Sequence, residues 1–173
     1  MTAQEVFELT TQGGATDFSE VVRLCRSMGP YCLIGGLAVN CYVEPVYTMD
    51  ADLVLMPAEL PGLPARLQAT GFSVETFAHS INAQRGASQL RIQFTTDERY
   101  SEFPLRASEC TVLGETVVVA SLEDVFQGKL WAWSDSSRRL TKRKKDELDL
   151  LRLAETYPSL RAGLPPELRS LLP

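Results

Sequence analysis

A single histidine, His79, and four cysteines without one C-x-x-C pair leave a zinc centre of Cys and His clusters nothing to be built from. The cysteines are Cys25, Cys32, Cys41 and Cys110. Three of them lie in apolar segments, so they read as core residues in a reducing cytoplasm and not as a disulfide framework. No run of about 18 apolar residues occurs, and the N-terminal MTAQEVFELT has no basic region ahead of an apolar one. The expectation is a cytoplasmic chain that is neither secreted nor membrane-spanning. Positive charge is not in excess either. With 17 Lys and Arg against 22 Asp and Glu, the net charge of -5 excludes a protein that coats nucleic acid by bulk attraction.

What is present suits one compact unit. At 173 residues, 45% hydrophobic and 23% charged, the chain can bury a core without disulfide or metal staples. Asp17 and Glu20 have the spacing of a capping box, and Phe18, Val21, Val22, Cys25 and Met28 follow at helical intervals. The apolar run Tyr31 to Ile34, the pair Gly35-Gly36, a helix-like stretch Leu37 to Val43 and a second run Asp52 to Met56 read as strand, turn, helix, strand. Pro64 and Gly71 frame a short helix, and the alternation of Leu90, Ile92 and Phe94 marks another strand. Thr111 to Leu113 and Thr116 to Val119, joined by Gly114-Glu115, predict a hairpin. Beyond Ser121 the pattern turns helical, first with Glu123 and Asp124 in an opening turn, then with Leu148, Leu151 and Ala154 to about Tyr157, and last after Pro165-Pro166. Residues 1–120 are thus expected to form a core that the helical segment 121–173 completes.

Two features carry chemistry. A glycine pair after a strand lets backbone amides approach phosphate oxygens with no side chain in the way, although the same pair also makes a plain tight turn. Asp50-Ala51-Asp52 follows at the mouth of the next strand, where alternation sends both carboxylates to one face. Magnesium takes a few hard oxygen ligands and fills its shell with water and substrate phosphates, so an aspartate pair suits it; capping of a strand end is the plainer reading.

Leu33-Ile34-Gly35-Gly36 followed by Asp50-x-Asp52-Leu53-Val54 resembles the signature of the polymerase-beta-like nucleotidyltransferase superfamily. With Thr48 two residues before the first aspartate, it resembles in particular the minimal nucleotidyltransferases of the AbiEii toxin type. The resemblance continues through Val119 to Asp124, Lys129-Leu130 and Lys145-Asp146-x-x-Asp149-Leu150. It implies an α/β, more strictly α+β, nucleotidyltransferase fold with a short mixed sheet flanked by helices and a helical C-terminal segment. It implies a nucleoside triphosphate as substrate, cradled at Gly35, Gly36, Thr48 and Lys145, with Mg2+ on Asp50 and Asp52. Lys129 would reach the triphosphate, and Asp146 would orient a basic residue or the acceptor. Activity would be transfer of a nucleoside monophosphate to a hydroxyl of an RNA end or a protein, with a cognate antitoxin as partner. A small-molecule acceptor such as an aminoglycoside fits the same residues.

Six basic residues between Arg138 and Lys145 form a patch for a triphosphate or RNA, or else a solvated helix face. One departure bears on catalysis. Active relatives often place a third carboxylate on the strand that here reads Leu90 to Phe94, and the corresponding position holds Gln93. A neutral amide neither carries a metal ligand's charge nor takes a proton. A basic residue two positions before the threonine is also replaced, by Val46. Three readings follow: a slow enzyme, an enzyme that uses Asp146 in place of the missing group, and a nucleotide- or partner-binding module without turnover.

Overall fold

The computed structural model describes residues 1–173 and contains one mixed sheet of seven strands with helices packed against it. The strands are β1 (Tyr31–Ile34), β2 (Asp50–Leu55), β3 (Ser73–Thr76), β4 (Ser80–Gln84), β5 (Arg91–Thr95), β6 (Ser108–Val112) and β7 (Glu115–Val119), in the order β3-β4-β5-β2-β1-β7-β6. β2 runs antiparallel to β1 and parallel to β5, and β7 runs parallel to β1. The α/β fold class implied by the family resemblance is the one observed. The sheet is longer than a short one because both its edges are extended by hairpins.

The helices are α1 (Ala3–Thr11), α2 (Gly14–Met28), α3 (Gly35–Val39), α4 (Leu63–Ala69), α5 (Leu122–Ser134), α6 (Leu140–Thr156) and α7 (Pro166–Arg169). Phe18, Val21, Val22 and Cys25 of α2 are wholly buried, as their spacing predicts. A single apolar cluster joins them to Leu33, Leu53, Ile92 and Phe94 of the central strands and to Leu150 and Leu153 of α6. The C-terminal helices therefore share the core of the sheet. No helix is long and apolar enough to cross a membrane.

Several local expectations are corrected. Asp17 and Glu20 do not cap a helix: α2 begins after Gly13, whose φ is +103°, with no side-chain cap. Asp17 instead accepts a hydrogen bond from Arg85 Nε at 2.9 Å, and Glu20 pairs with the same guanidinium. A tertiary cation outbids the local amides for these carboxylates. The capping box of the chain lies at Thr2 and Glu5, at the head of α1. The hairpin turn is Leu113-Gly114, both with positive φ (49° and 80°), as a two-residue turn between right-twisted strands requires; Glu115 already belongs to β7. The helix after the glycine pair starts at Gly35 itself, and β2 starts at Asp50. In α6, Leu148 is half exposed, while Leu150, Leu153 and Ala154 are buried together with Asp146 and Asp149. Two carboxylates sit on the inward face and interrupt its apolar period.

Removal of Arg85 leaves Asp17, whose side chain is only 5% exposed, without its counter-charge. Arg85→Met is expected to lower stability by about 3 kcal/mol, measured as a shift of the urea midpoint at unchanged slope, whereas Glu20→Gln costs under about 1 kcal/mol.

Candidate functional site

The site begins with a close approach of backbone and carboxylate. Gly35, the first residue of α3, has φ +71°, and a Cβ there would collide with the Asp52 carboxylate. Only glycine serves at this position, on both counts. Gly36 differs, since a Cβ on it would meet Thr48 at 3.5 Å, an ordinary contact. The fold therefore demands the first glycine and not the second. Thr48 accepts a hydrogen bond through Oγ1 from the Asp50 amide at 3.3 Å and so helps set the start of β2.

Asp50 and Asp52 flank the wholly buried Ala51 and face the cleft together. Asp50 accepts from Arg91 Nε at 2.6 Å through Oδ1 and from Lys142 Nζ at 2.7 Å through Oδ2. Burial works against its charge, but these two cations outweigh burial and hold its carboxyl below the usual range. Asp52 has no hydrogen bond and no ion pair. Burial, with the neighbouring Asp50 charge, pushes its pKa up to about 6.

A second charged group closes the opposite side. The buried Lys129 of α5 donates to Asp146 Oδ1 at 2.9 Å and lies 2.7 Å from Asp149 Oδ2. Burial pulls its pKa down, and the two carboxylates more than reverse the effect. Arg138 Nε donates to Asp146 Oδ2 at 2.8 Å, and Arg152 Nη1 donates to Asp149 Oδ1 at 2.7 Å. Asp146 therefore holds two basic side chains, Lys129 and Arg138, in place. Of the six basic residues near residue 140, Arg138 and Lys142 are tied to cleft carboxylates, Lys144 pairs with Glu147, and Arg143 donates to the Trp133 carbonyl. Arg139 and Lys145 line the cleft without an acidic partner.

These groups surround one cleft of about 550 Å³ between the sheet and α5–α6. It contains every residue singled out from the motifs: Gly35, Gly36, Thr48, Asp50, Asp52, Lys129, Lys145 and Asp146. Gln93 lies opposite Asp52 in the β2–β5 register, so the neutral amide stands beside the aspartate pair. Asp97 is turned away, into a forked ion pair with Arg99. Nowhere in the protein do three or more His, Cys, Asp or Glu side chains converge as a metal cluster. The pair nevertheless suits a hard cation, because Asp52 is unpaired beside a like charge. The motifs did not reveal Arg91, which binds Asp50, although its place two residues before Gln93 put it on the cleft face. The pairing of Arg152 with Asp149 has the i,i+3 spacing of neighbours on one helix face, the signal that could have found it.

A family model described as "Nucleotidyl transferase AbiEii toxin, Type IV TA system" matches residues 30–171. No curated protein matches the chain. Among solved structures, the lincosamide antibiotic adenylyltransferase LnuA with bound lincomycin shares the fold at 12% identity and a TM-score of 0.56, over 82% of this chain and 96% of its own. ANT(2'')-Ia in complex with adenylyl-2''-tobramycin is similar at 17% identity and a TM-score of 0.61, over 91% and 95%. An antigenic nucleotidyltransferase-like protein from Paracoccidioides brasiliensis is similar at 17% identity and a TM-score of 0.53, over 91% and 84%.

The two glycines are expected to respond differently. Gly35→Ala loses about 2 kcal/mol or more of stability through its left-handed φ and the Asp52 collision. Gly36→Ala, within a helix, keeps or gains up to about 1 kcal/mol by thermal unfolding. Asp52 gives a signed pH dependence in metal-free protein. Its raised pKa favours the protonated fold, so its contribution is complete below the unfolded value of 3.8 and is lost as pH rises through about 6. Asp52→Asn is therefore expected to be more stable than wild type by about 1–2 kcal/mol near neutral pH, and denaturation curves of the two should converge towards pH 4.

Proposed function

Because the chain belongs to the AbiEii nucleotidyltransferase family, we propose that it transfers a nucleoside monophosphate from a triphosphate to an acceptor hydroxyl, with Mg2+ held by Asp50 and Asp52. The observation that carries this reading is the unpaired Asp52 beside Asp50, facing free Arg139 and Lys145 across one cleft. Magnesium there would neutralise charge on the phosphates during in-line displacement. The acceptor oxygen forms its bond to the α-phosphorus, the α–β anhydride breaks, and pyrophosphate leaves. The hydroxyl proton goes to the Asp52 carboxylate, since Gln93 cannot accept it. Arg139 and Lys145 bind the triphosphate, and Lys129, fixed by Asp146 and Asp149, offsets the charge of the leaving pyrophosphate. Gly36 lets the backbone approach a phosphate.

In a toxin role, the acceptor is an RNA end or a protein and a cognate antitoxin restrains the enzyme. A second reading, with a small-molecule acceptor, draws support from the two solved neighbours that carry lincomycin and adenylyl-tobramycin.

Calorimetric titration of magnesium-ATP, CTP, GTP and UTP tests the proposal. At least one nucleotide should bind the wild type and lose about 100-fold or more in affinity, some 2.7 kcal/mol, with Asp50→Ala/Asp52→Ala. Equal binding by both proteins would sink it.

A further inference from the structure

A row of polar side chains crosses the cleft face of the sheet. Asp52 is opposite Gln93, Gln93 is opposite Asn82, and Asn82 is opposite Glu75. With strands about 4.8 Å apart, the row reaches some 14 Å from β2 to the sheet edge. All four side chains line the cleft, and none makes a hydrogen bond or an ion pair within the protein. Their neighbours are otherwise engaged: Arg91 binds Asp50, and Gln84 donates to the Ser88 carbonyl at 2.8 Å. Asn82 Oδ1 is shielded from water and has no donor. A shielded polar atom is seldom left so, and Gln93 and Glu75 on either side of Asn82 are exposed and open to a ligand in the cleft.

The charge pattern selects that occupant. β3 and β4, which read SVET and SINAQ, hold no Lys or Arg, and the one cation of β5 is spent on Asp50. The free cations, Arg139 and Lys145, belong to the segment opening α6, across the cleft. A phosphate backbone laid along the row would meet no cation on β3 or β4 and would face carboxylates at both ends. A hydroxyl-bearing molecule with an amine at its far end finds amides for its hydroxyls and the Glu75 carboxylate for its ammonium.

We infer that the row Gln93–Asn82–Glu75 is the acceptor subsite and that it takes a small hydroxylated amine of the amino-sugar class, anchored by Glu75. This rests on the nucleotidyl transfer proposed above and specifies its acceptor. A hydroxyl of the amino sugar, held beside Asp52, forms the O–P bond, pyrophosphate departs with the electrons of the broken anhydride, and the hydroxyl proton passes to Asp52.

The experiment uses the full chain with Mg2+, the four α-labelled triphosphates, and either neamine or a single-stranded RNA with a free 3′ hydroxyl. Label is expected on neamine. Glu75→Gln should raise the KM for neamine by about five- to tenfold, with kcat and the KM for nucleotide unchanged, and Glu75→Asp should recover part of the loss. Neamine titrated alone by calorimetry should bind and weaken equally in Glu75→Gln. Labelled RNA with unlabelled neamine overturns this inference and leaves nucleotidyl transfer standing, as does a neamine KM that Glu75→Gln and Asn82→Ala leave unmoved. Absence of nucleotide binding by the wild type overturns both.

Discussion

The structure depends on the packing of one carboxylate against one backbone atom. Asp52 lies so close to the Cα of Gly35 that no side chain fits between them. The strand-to-helix turn and the second strand are locked together at this point, antiparallel and in register from Tyr31–Leu55 to Ile34–Asp52. The contact is costly: Asp52 is driven to about 6 by burial and by Asp50, and no protein donor relieves it. An unpaired carboxylate beside a like charge in the cleft is an arrangement whose cost a bound cation would offset.

The far helix reaches this point through charge. Lys142 of α6 pairs with Asp50, while Asp146 and Asp149 on the inward face of the same helix clasp Lys129 of α5. One cation of α6 thereby pairs with one carboxylate of the sheet, and one cation of α5 pairs with two carboxylates of α6. A chain with net charge -5 thus assembles a cleft in which most acids have a partner near at hand, and the exceptions, Asp52 and Glu75, mark the two ends of one polar row. Charged pairs as enclosed as Lys129 with Asp146 specify geometry more than they add stability, because desolvation offsets much of their attraction. Their effect is to hold α5 and α6 at a fixed spacing across the cleft.

How much of this was legible follows from where the signals lie. Gly35-Gly36 and Asp50-x-Asp52 were readable because each is a local pattern with one geometric meaning, and the buried spacing of α2 was readable as a 3.6-residue period. β3 and β4 escaped because Ser73, Glu75 and Thr76 are exposed on an edge and the alternation in SINAQ spans only five residues. Leu148 lies off the inward face of α6, which combines the apolar Leu150, Leu153 and Ala154 with the ion-paired Asp146 and Asp149 and so shows no clean apolar period. Arg85 with Asp17 and Arg91 with Asp50 are contacts between residues 68 and 41 positions apart, and no local rule reaches them.

The neutral Gln93 gains meaning from the same electrostatics. A carboxylate at its position would stand beside Asp52, which is already unpaired and already pushed up by Asp50. A third acid would raise the cost of charging all three unless two metal ions offset it. With an amide there, the demand falls to what a single cation and the substrate phosphates can supply, and the position gains a donor that a carboxylate lacks. The exchange removes a base from the centre and adds a hydrogen-bonding group to the row that leads away from it. In the proposed reaction Gln93 is thus better suited to holding an acceptor than to activating one, and the proton would pass to Asp52, the one unpaired carboxylate beside it.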